Sequence, residues 1–311
     1  MERSPESQVE VVSRHQPLLG TVVELTVSAP SAGEAASAES LIVEEIGRLE
    51  RVFSVFDHDS ELCRWRRGAG AAGPELVEVL GLAAQWRRLT KGAFNPLVGV
   101  MAEVWAEAAD AGELPSTDRL ERLAGAIRVD GAASLIGAEA RGSLDLNAVA
   151  KGWIIDRAVD RVLGSVAVGR LMVNAGGDLT ARGDDAIVVG VEDPARPYDN
   201  AAPLAAVRVG NRALATSGHS RRGWEIAGSW FSHVIDPRTA MPSSHVASAS
   251  VIADDLATAD VLATALLVLR SSEVGSVFGR MGSVGYLIAA NDGSTVSNET
   301  WDELVVRRSN P

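Results

Sequence analysis

The sequence predicts an α/β protein with a mixed α+β layout, folded as a single two-lobed unit. Amphipathic helical periodicity dominates the first 130 residues, whereas short apolar strands punctuated by Gly and Pro dominate the remainder. The 311-residue chain shows no internal repeat and no long Gly/Ser linker that would mark a domain boundary. We therefore expect a flexible N-terminal arm over residues 1–14, which are polar and lack a packing period, and one domain over residues 15–311.

Local patterns place the elements of the N-terminal part. Residues 18–27 read LLGTVVELTV, rich in β-branched residues, which predicts a strand. Apolar residues then recur at three- and four-residue intervals over 33–53, which predicts an amphipathic helix that covers a sheet. Further helices are predicted over 75–90, 95–109 and 116–123.

The C-terminal part alternates short strands with two strong helices. The helices are predicted over 147–163 and 254–269. The strands are predicted at 143–146, 170–174, 186–191, 204–209, 231–235, 247–252 and 283–290.

Composition excludes several classes of function. The 29 Lys and Arg against 41 Asp and Glu give a net charge of −12, which disfavours nucleic acid as a partner. A single cysteine, Cys63, excludes an intramolecular disulfide and a Cys-rich metal site. The first thirty residues lack a signal-peptide pattern and no apolar run reaches about 18 residues, so we expect a cytoplasmic protein without membrane insertion.

One glycine motif is misleading. Gly68, Gly70 and Gly73 match the G-x-G-x-x-G pattern of dinucleotide sites. A dinucleotide-binding turn follows a buried strand, yet the preceding residues are LCRWRR and Pro74 closes the loop. We interpret the motif as a flexible turn.

The segment LDLNAVAKG over 144–152 is more informative. An apolar strand end gives way to a helix, with Asp145 or Asn147 available as its cap. Free N–H groups at a helix start bind phosphate, and Lys151 in the first turn adds positive charge. A capped helix with an exposed lysine remains the alternative.

Two further segments offer ligand-binding features at strand ends. Gly176 and Gly177 follow a strand and remove two side chains where a flat ligand can lie, although a plain tight turn explains them as well. Ser217 and Gly218 lie in ATSGH, which supplies hydroxyls and an imidazole but is unspecific.

Two stretches carry residues suited to catalysis. His233 alternates with apolar Val234 in a predicted strand; it is either a structural histidine or a group that transfers protons near neutral pH. Asp260 and Thr264 lie one turn apart on one helix face, and their oxygens suit Mg²⁺. An ordinary polar stripe is the alternative, but the apolar neighbours leave little solvent-facing width.

Taken together, these segments resemble the FAD:protein FMN transferase family, the ApbE-like flavin transferases. The resemblance runs from about residue 18 to about residue 290. Its most specific pieces are LDLNAVAKGWIIDRAVD (144–160), VNAGGDLTARG (173–183), ATSGHSRR (215–222), SHVIDPRTAMP (232–242) and ATADVLATALLVL (257–269). Weaker matches are LLGT (18–21), FSVFDHDSEL (53–62) and GAFNPLVG (92–99).

The resemblance implies an ApbE-like, T-fold-like catalytic unit over residues 15–311. It implies a Mg²⁺-dependent enzyme that takes FAD as substrate, releases AMP and attaches FMN to a Ser or Thr hydroxyl of an acceptor protein. By position, it implies three groups of site residues. The metal ligands are Asp260, Thr264 and the main-chain oxygen of Ala148; the FAD contacts are Asp145, Lys151, Leu19, Phe56, Ala93, Phe94 and Asn95; the catalytic residues are His233 and Asp260.

The chain departs from the family pattern at two positions. Asn95 stands where Asp is usual, which removes a charge and introduces an N–H₂ donor to the pocket. Ala240 stands where Gly is usual, which strains the turn if its φ is positive. Two other functions stay open: a Mg²⁺-dependent FAD pyrophosphatase, in which water replaces the acceptor hydroxyl, and a non-catalytic FAD-binding module.

Overall fold

The computed structural model describes residues 8–127, 142, 144–197, 201–218 and 222–308. The helices are α1 (Ala32–Phe53), α2 (Glu61–Arg66), α3 (Pro74–Leu89), α4 (Gly99–Ala111), α5 (Thr117–Ala126), α6 (Asn147–Leu163), α7 (Leu256–Leu266), α8 (Ser271–Phe278) and α9 (Glu299–Asp302). The strands are β1 (Val9–Leu18), β2 (Thr21–Ala29), β3 (Arg170–Ala175), β4 (Asp178–Gly183), β5 (Ile187–Val191), β6 (Ala205–Val209), β7 (Arg212–Gly218), β8 (Gly223–Ile226), β9 (Ser229–Ser232), β10 (Ile235–Asp236), β11 (Met241–Pro242), β12 (Val246–Ala253), β13 (Gly285–Ala290), β14 (Thr295–Ser297) and β15 (Val305–Arg308).

An eight-stranded antiparallel sheet organises the fold. Its strand order is β1-β2-β3-β4-β7-β12-β13-β14. Side chains alternate between the two faces of each strand. On β7, Ala213 and Ala215 belong to the main core, which includes α1, α6 and α7, whereas Leu214 belongs to a second core. That second core is formed with the three-stranded sheet β15-β6-β5.

Helices α6 and α7 pack unusually closely. A Cβ added at Gly152 of α6 would lie 2.5 Å from the main-chain nitrogen of Ala257, so the contact requires glycine. One turn further along α6, Asp156 accepts hydrogen bonds from the N–H groups of Leu256 and Ala257. The first turn of α7 is therefore fixed against the middle of α6.

The mixed α/β fold class is confirmed, and α6 begins and ends at the predicted residues. The prediction of a loose arm is wrong for residues 9–14, which lie in β1 and pair with β2; residues 1–7 are outside the described residues. Because β1 is an edge strand with mostly exposed side chains, it carries no apolar pattern. The strand predicted at 143–146 is also wrong, because residues 144–146 form no strand and Leu146 is the N-cap of α6; residue 143 is outside the described residues.

Other boundaries differ for local reasons. The strand predicted over 18–27 is interrupted by a turn at Leu19 and Gly20, both at positive φ. The strand predicted over 231–235 breaks after Ser232, so that His233 and Val234 lie between β9 and β10. The glycine motif at 68–73 forms the loop between α2 and α3, as predicted. Within the part of the chain that the structure describes, no helix has the length and apolar character needed to span a bilayer.

Candidate active site

The start of α6 is held by contacts from both sides. The carboxylate of Asp145 accepts a hydrogen bond from the main-chain N–H of Asn147 at 2.9 Å. The Asp145 N–H donates to the carbonyl of Pro96 at 2.6 Å, and Arg66 of α2 donates to the carbonyl of Leu144. Neither Asp145 nor Asn147 is the N-cap, which is Leu146, but the Asp145 carboxylate accepts the first N–H of α6 from the residue before the cap. The helix start is thereby joined to the 92–99 segment.

Lys151 does not project freely into solvent from this helix. Its ammonium forms an ion pair with Asp178 at the start of β4 and lies 3.4 Å from Oδ2 of Asp260 on α7. Both carboxylate side chains are 7% exposed. The structure therefore joins three predicted ligand-binding segments, 144–152, 173–183 and 257–269, through one lysine.

Electrostatics at this cluster follows from burial. Burial alone lowers the pKa of an ammonium, but the charges of Asp260 and Asp178 raise the pKa of Lys151 above its ordinary value. Burial raises the pKa of the Asp260 carboxyl; attraction to Lys151 opposes that rise, and repulsion from Asp178 adds to it. Lys151 is therefore charged at neutral pH. A further cation beside Asp260 would stabilise the ionised form of its carboxyl group.

The residues of the predicted metal site fit a hard divalent cation. Oδ2 of Asp260 is buried and has no hydrogen-bond partner among the described residues. The Thr264 hydroxyl follows one turn later on α7 and lies 3.3 Å from the hydroxyl of Ser217. Ala148 is half-buried in the first turn of α6, three residues before Lys151. The described residues contain no cluster of three or more His, Cys, Asp or Glu able to hold a metal, so this site depends on hydroxyl and main-chain oxygens, which Mg²⁺ accepts.

The two glycines at 176–177 form the turn between β3 and β4. Both have positive φ, and Ala175 pairs with Asp178 across them, so the tight-turn interpretation holds. A Cβ at Gly176 would lie 2.9 Å from the Thr21 hydroxyl, which places this turn against the start of β2. Both glycines are exposed, so a flat ligand still has access to their backbone.

Leu19 lies in the neighbouring turn between β1 and β2. It adopts φ 53° although it is not glycine, and its N–H donates to the Glu50 carboxylate of α1 at 2.6 Å. A side chain in this conformation is costly, and such strain concentrates at ligand sites. Leu19 and Gly176 reach the same end of the sheet on adjacent hairpins.

The predicted FAD-pocket residues at 93–95 are buried within the chain. Ala93 and Phe94 are 2% and 5% exposed, so their side chains pack in the core. Asn95 is 4% exposed; its N–H₂ donates to the carbonyl of Ile127 at 3.0 Å and its carbonyl accepts the N–H of Leu97 at 3.1 Å. Asn95 therefore braces this loop with both ends of its amide, and its contact with FAD stays a prediction.

Phe56 and His233 are exposed. Phe56 is 88% exposed in the loop between α1 and α2. Nδ1 of His233 lies 3.1 Å from the carbonyl of Arg222. Because a carbonyl only accepts, Nδ1 carries the hydrogen of this bond. The imidazole is thus oriented by this bond, and it lies on the protein surface.

The backbone strain expected at Ala240 is present in the structure. The φ of Ala240 is 59°, and the residue is fully buried. The indole N–H of Trp105 donates to its carbonyl at 2.9 Å. Surrounding packing therefore imposes a conformation that glycine adopts without cost.

Sequence reasoning missed the roles of Asp178 and Asp156. Asp178 ends the motif VNAGGD, and a carboxylate directly after a two-glycine turn is a usable signal. Asp156 falls within the IIDRA segment of α6, where an acidic residue on the buried side of an amphipathic helix is the only clue. Ser217 joins the site through Thr264, whereas Gly218 is exposed at the end of β7; residues 219–221 of the same motif lie outside the described residues.

Comparisons with known proteins show the family to which the chain belongs. The model of the ApbE family matches residues 19–287. An FAD:protein FMN transferase of Rhodobacter capsulatus is 33% identical over 232 residues, which cover 71% of this chain and 43% of that protein. The FAD:protein FMN transferase of Treponema pallidum is 29% identical over 293 residues, or 85% of this chain and 80% of that protein. The chain thus spans less than half the length of the Rhodobacter relative.

Solved structures show the same fold. The ApbE protein of Thermotoga maritima superposes with a TM-score of 0.77 at 25% identity, covering 97% of this chain and all of that chain. The flavinyl transferase ApbE of Pseudomonas stutzeri superposes with a TM-score of 0.72 at 21% identity, covering 98% of this chain.

Proposed function

The chain belongs to the ApbE family, and from that premise we propose that it is an FAD:protein FMN transferase. It takes FAD and an acceptor protein that carries a Ser or Thr hydroxyl. The hydroxyl oxygen forms a bond to the FMN phosphorus, the pyrophosphate P–O bond breaks, and AMP leaves. The hydroxyl proton passes to a base. The products are AMP and a protein with FMN attached through a phosphoester.

One observation carries the proposal: a buried Asp260 oxygen, for which the described part of the chain provides no hydrogen-bond partner, lies beside Lys151 of α6. The N–H groups at the start of α6 attract the diphosphate of FAD. Asp260, Thr264 and the carbonyl of Ala148 would hold Mg²⁺ next to it. When bound, Mg²⁺ neutralises pyrophosphate oxygens and the charge that develops on the AMP leaving group.

The remaining roles follow from accessibility. His233 is exposed and oriented, so it can receive the proton of a hydroxyl brought by another protein. Leu19 and the glycine turn at 176–177 line the neighbouring sheet end, where FAD has access to exposed backbone. Asp145 fixes the helix start through the Asn147 N–H, and Phe56 supplies an exposed aromatic face for the flavin or adenine ring.

A single assay distinguishes this activity from its alternatives. The protein is incubated with FAD and Mg²⁺, with and without a candidate acceptor protein. Transfer gives AMP only with acceptor, together with flavin fluorescence that stays on the acceptor after denaturation. AMP and free FMN without acceptor would identify a pyrophosphatase, and binding of FAD without AMP would identify a non-catalytic module.

The metal assignment is tested by two substitutions on α7. Asp260→Asn keeps the size of the side chain and removes its charge, so the Mg²⁺ concentration for half-maximal AMP release rises by about 100-fold or more. Thr264→Val removes one neutral ligand that water partly replaces, so the rise is only about tenfold. Circular dichroism checks folding. Normal turnover of Asp260→Asn at the half-saturating Mg²⁺ of the parent would exclude α7 as the metal site.

A further inference from the structure

The ammonium of Lys151 contacts two carboxylates, and the two contacts differ in length. It forms a hydrogen-bonded ion pair with Asp178. Its distance to Oδ2 of Asp260 is 3.4 Å, beyond the length of about 2.8 Å typical of a charge-assisted hydrogen bond. The lysine therefore lies closer to β4, and among the residues that the structure describes no group within hydrogen-bond geometry donates to Oδ2 of Asp260.

The carboxylate of Asp178 is held rigidly. Its Oδ1 accepts the main-chain N–H of Thr216 on β7 at 3.1 Å, while its Oδ2 binds Lys151. The side chain is 7% exposed and follows directly on the glycine turn that ends β3. Asp178 is thus bound to the sheet through Thr216 and to α6 through Lys151.

An unrestrained lysine beside Asp260 would compete with a metal. A cation at Oδ2 of Asp260 and an ammonium hydrogen-bonded to the same oxygen compete, because they share its electron density and repel each other. In the structure, Asp178 provides the Lys151 ammonium with a closer carboxylate partner than Asp260.

We propose that Asp178 is a positioning residue that holds the Lys151 ammonium away from the metal-binding oxygen of Asp260. The inference rests on the proposed function, which assigns the metal to Asp260. In this role Asp178 does not contact the metal and acts only through its ion pair with Lys151.

A double-mutant cycle on metal binding tests this role without any turnover. Mn²⁺ alone is titrated by electron paramagnetic resonance into the parent, Asp178→Asn, Lys151→Met and the double variant, and calorimetry with Mg²⁺ repeats the series. Asp178→Asn keeps the shape and the acceptor for the Thr216 N–H. It should weaken Mn²⁺ binding about tenfold with Lys151 present, and less than about twofold in the Lys151→Met background, because directly contacting charges are coupled.

A matched control uses another basic residue of α6 that bridges two carboxylates. Arg161 lies 3.0 Å from Glu45 and 3.3 Å from Glu44, and Glu45→Gln should leave Mn²⁺ affinity unchanged. An equal loss for Asp178→Asn in both lysine backgrounds would show that Asp178 acts by its own charge and would overturn the inference. No loss in either background would also overturn it. A parent protein that binds no Mn²⁺ would overturn the metal assignment itself, and this inference with it.

Discussion

Asp156 of α6 binds the first turn of helix α7 at Leu256: both carboxylate oxygens of Asp156 accept the Leu256 N–H, at 3.0 and 2.9 Å. Oδ2 also accepts the N–H of Ala257 at 3.0 Å. Burial raises the pKa of Asp156 to about 7, although these N–H donors and Arg182 oppose the rise and Asp255 adds to it. The helix that carries Asp260 is therefore held by a carboxyl group that titrates near neutral pH.

The raised pKa of Asp156 predicts that Asp156→Asn changes the free energy of unfolding by an amount that depends on pH. The folded pKa lies above the ordinary value of 3.8, so the contribution of Asp156 to stability is full below pH 4 and is lost as the pH rises to 7. The free energy of unfolding of the parent minus that of the variant should fall by about 1 kcal/mol per pH unit between pH 5 and pH 7. Urea denaturation at several pH values measures it. The other acidic groups are common to both proteins and cancel. A difference that is constant or grows with pH would refute the prediction.

Gly152→Ala should separate α6 from α7. The added Cβ would lie 2.5 Å from the nitrogen of Ala257, and overpacking of this kind costs about 1–3 kcal/mol of unfolding free energy. Mn²⁺ affinity should fall as well, because Lys151 is the adjacent residue and Asp260 lies on the displaced helix.

Gly81 is the matched control: it lies exposed within α3 with nothing within 4 Å of an added Cβ. Gly81→Ala should stabilise by about 0.5–1 kcal/mol. Destabilisation of equal size at both positions would contradict the close-packing argument.

The bounds of the helices at the site can be predicted from the sequence, whereas the residues that these helices contact cannot. The bounds of α6 were predictable because its amphipathic period and the polar residues before it are local signals. The helix predicted over 254–269 begins at Leu256, because Asp255 is the cap and accepts the Thr258 N–H at 2.7 Å. The Asp260 and Thr264 pair was equally local, since their spacing fixes a common helix face.

The partners of these helices are not local. Lys151 and Asp178 are 27 residues apart, and they meet because β4 pairs with β7 beneath α6 and α7. No periodicity encodes that meeting, so Lys151 was expected to have its charge available for phosphate. The break after Ser232 was unpredictable for a similar reason: the N–H of His233 donates to the carbonyl of Arg222, across the hairpin base, instead of continuing the strand.

Two alanines at positive φ should respond differently to replacement by glycine. Ala227 (φ 50°) is exposed in the β8–β9 turn, so Ala227→Gly relieves strain and should stabilise by about 1 kcal/mol. Ala240→Gly relieves similar strain but removes a fully buried methyl group worth about 0.8 kcal/mol, so its net effect should be close to zero. Thermal and urea unfolding compare the two. A larger gain at Ala240 than at Ala227 would show that packing around Trp105 does not use the Ala240 methyl.

His233→Ala should slow transfer without weakening the binding of FAD. Nδ1 of His233 donates to the Arg222 carbonyl, which orients the exposed ring, and loss of a general base costs about 10²- to 10⁴-fold in rate. Single-turnover transfer is measured by rapid quench with saturating FAD and Mg²⁺, and FAD affinity by titration of its fluorescence. His15→Gln is the control, because that histidine lies on β1 and contacts Glu39 at 2.9 Å. If His233→Ala transfers FMN at the parental rate, the proton leaves by another route and His233 has no part in the chemistry; if it loses FAD affinity in proportion to rate, its role is binding.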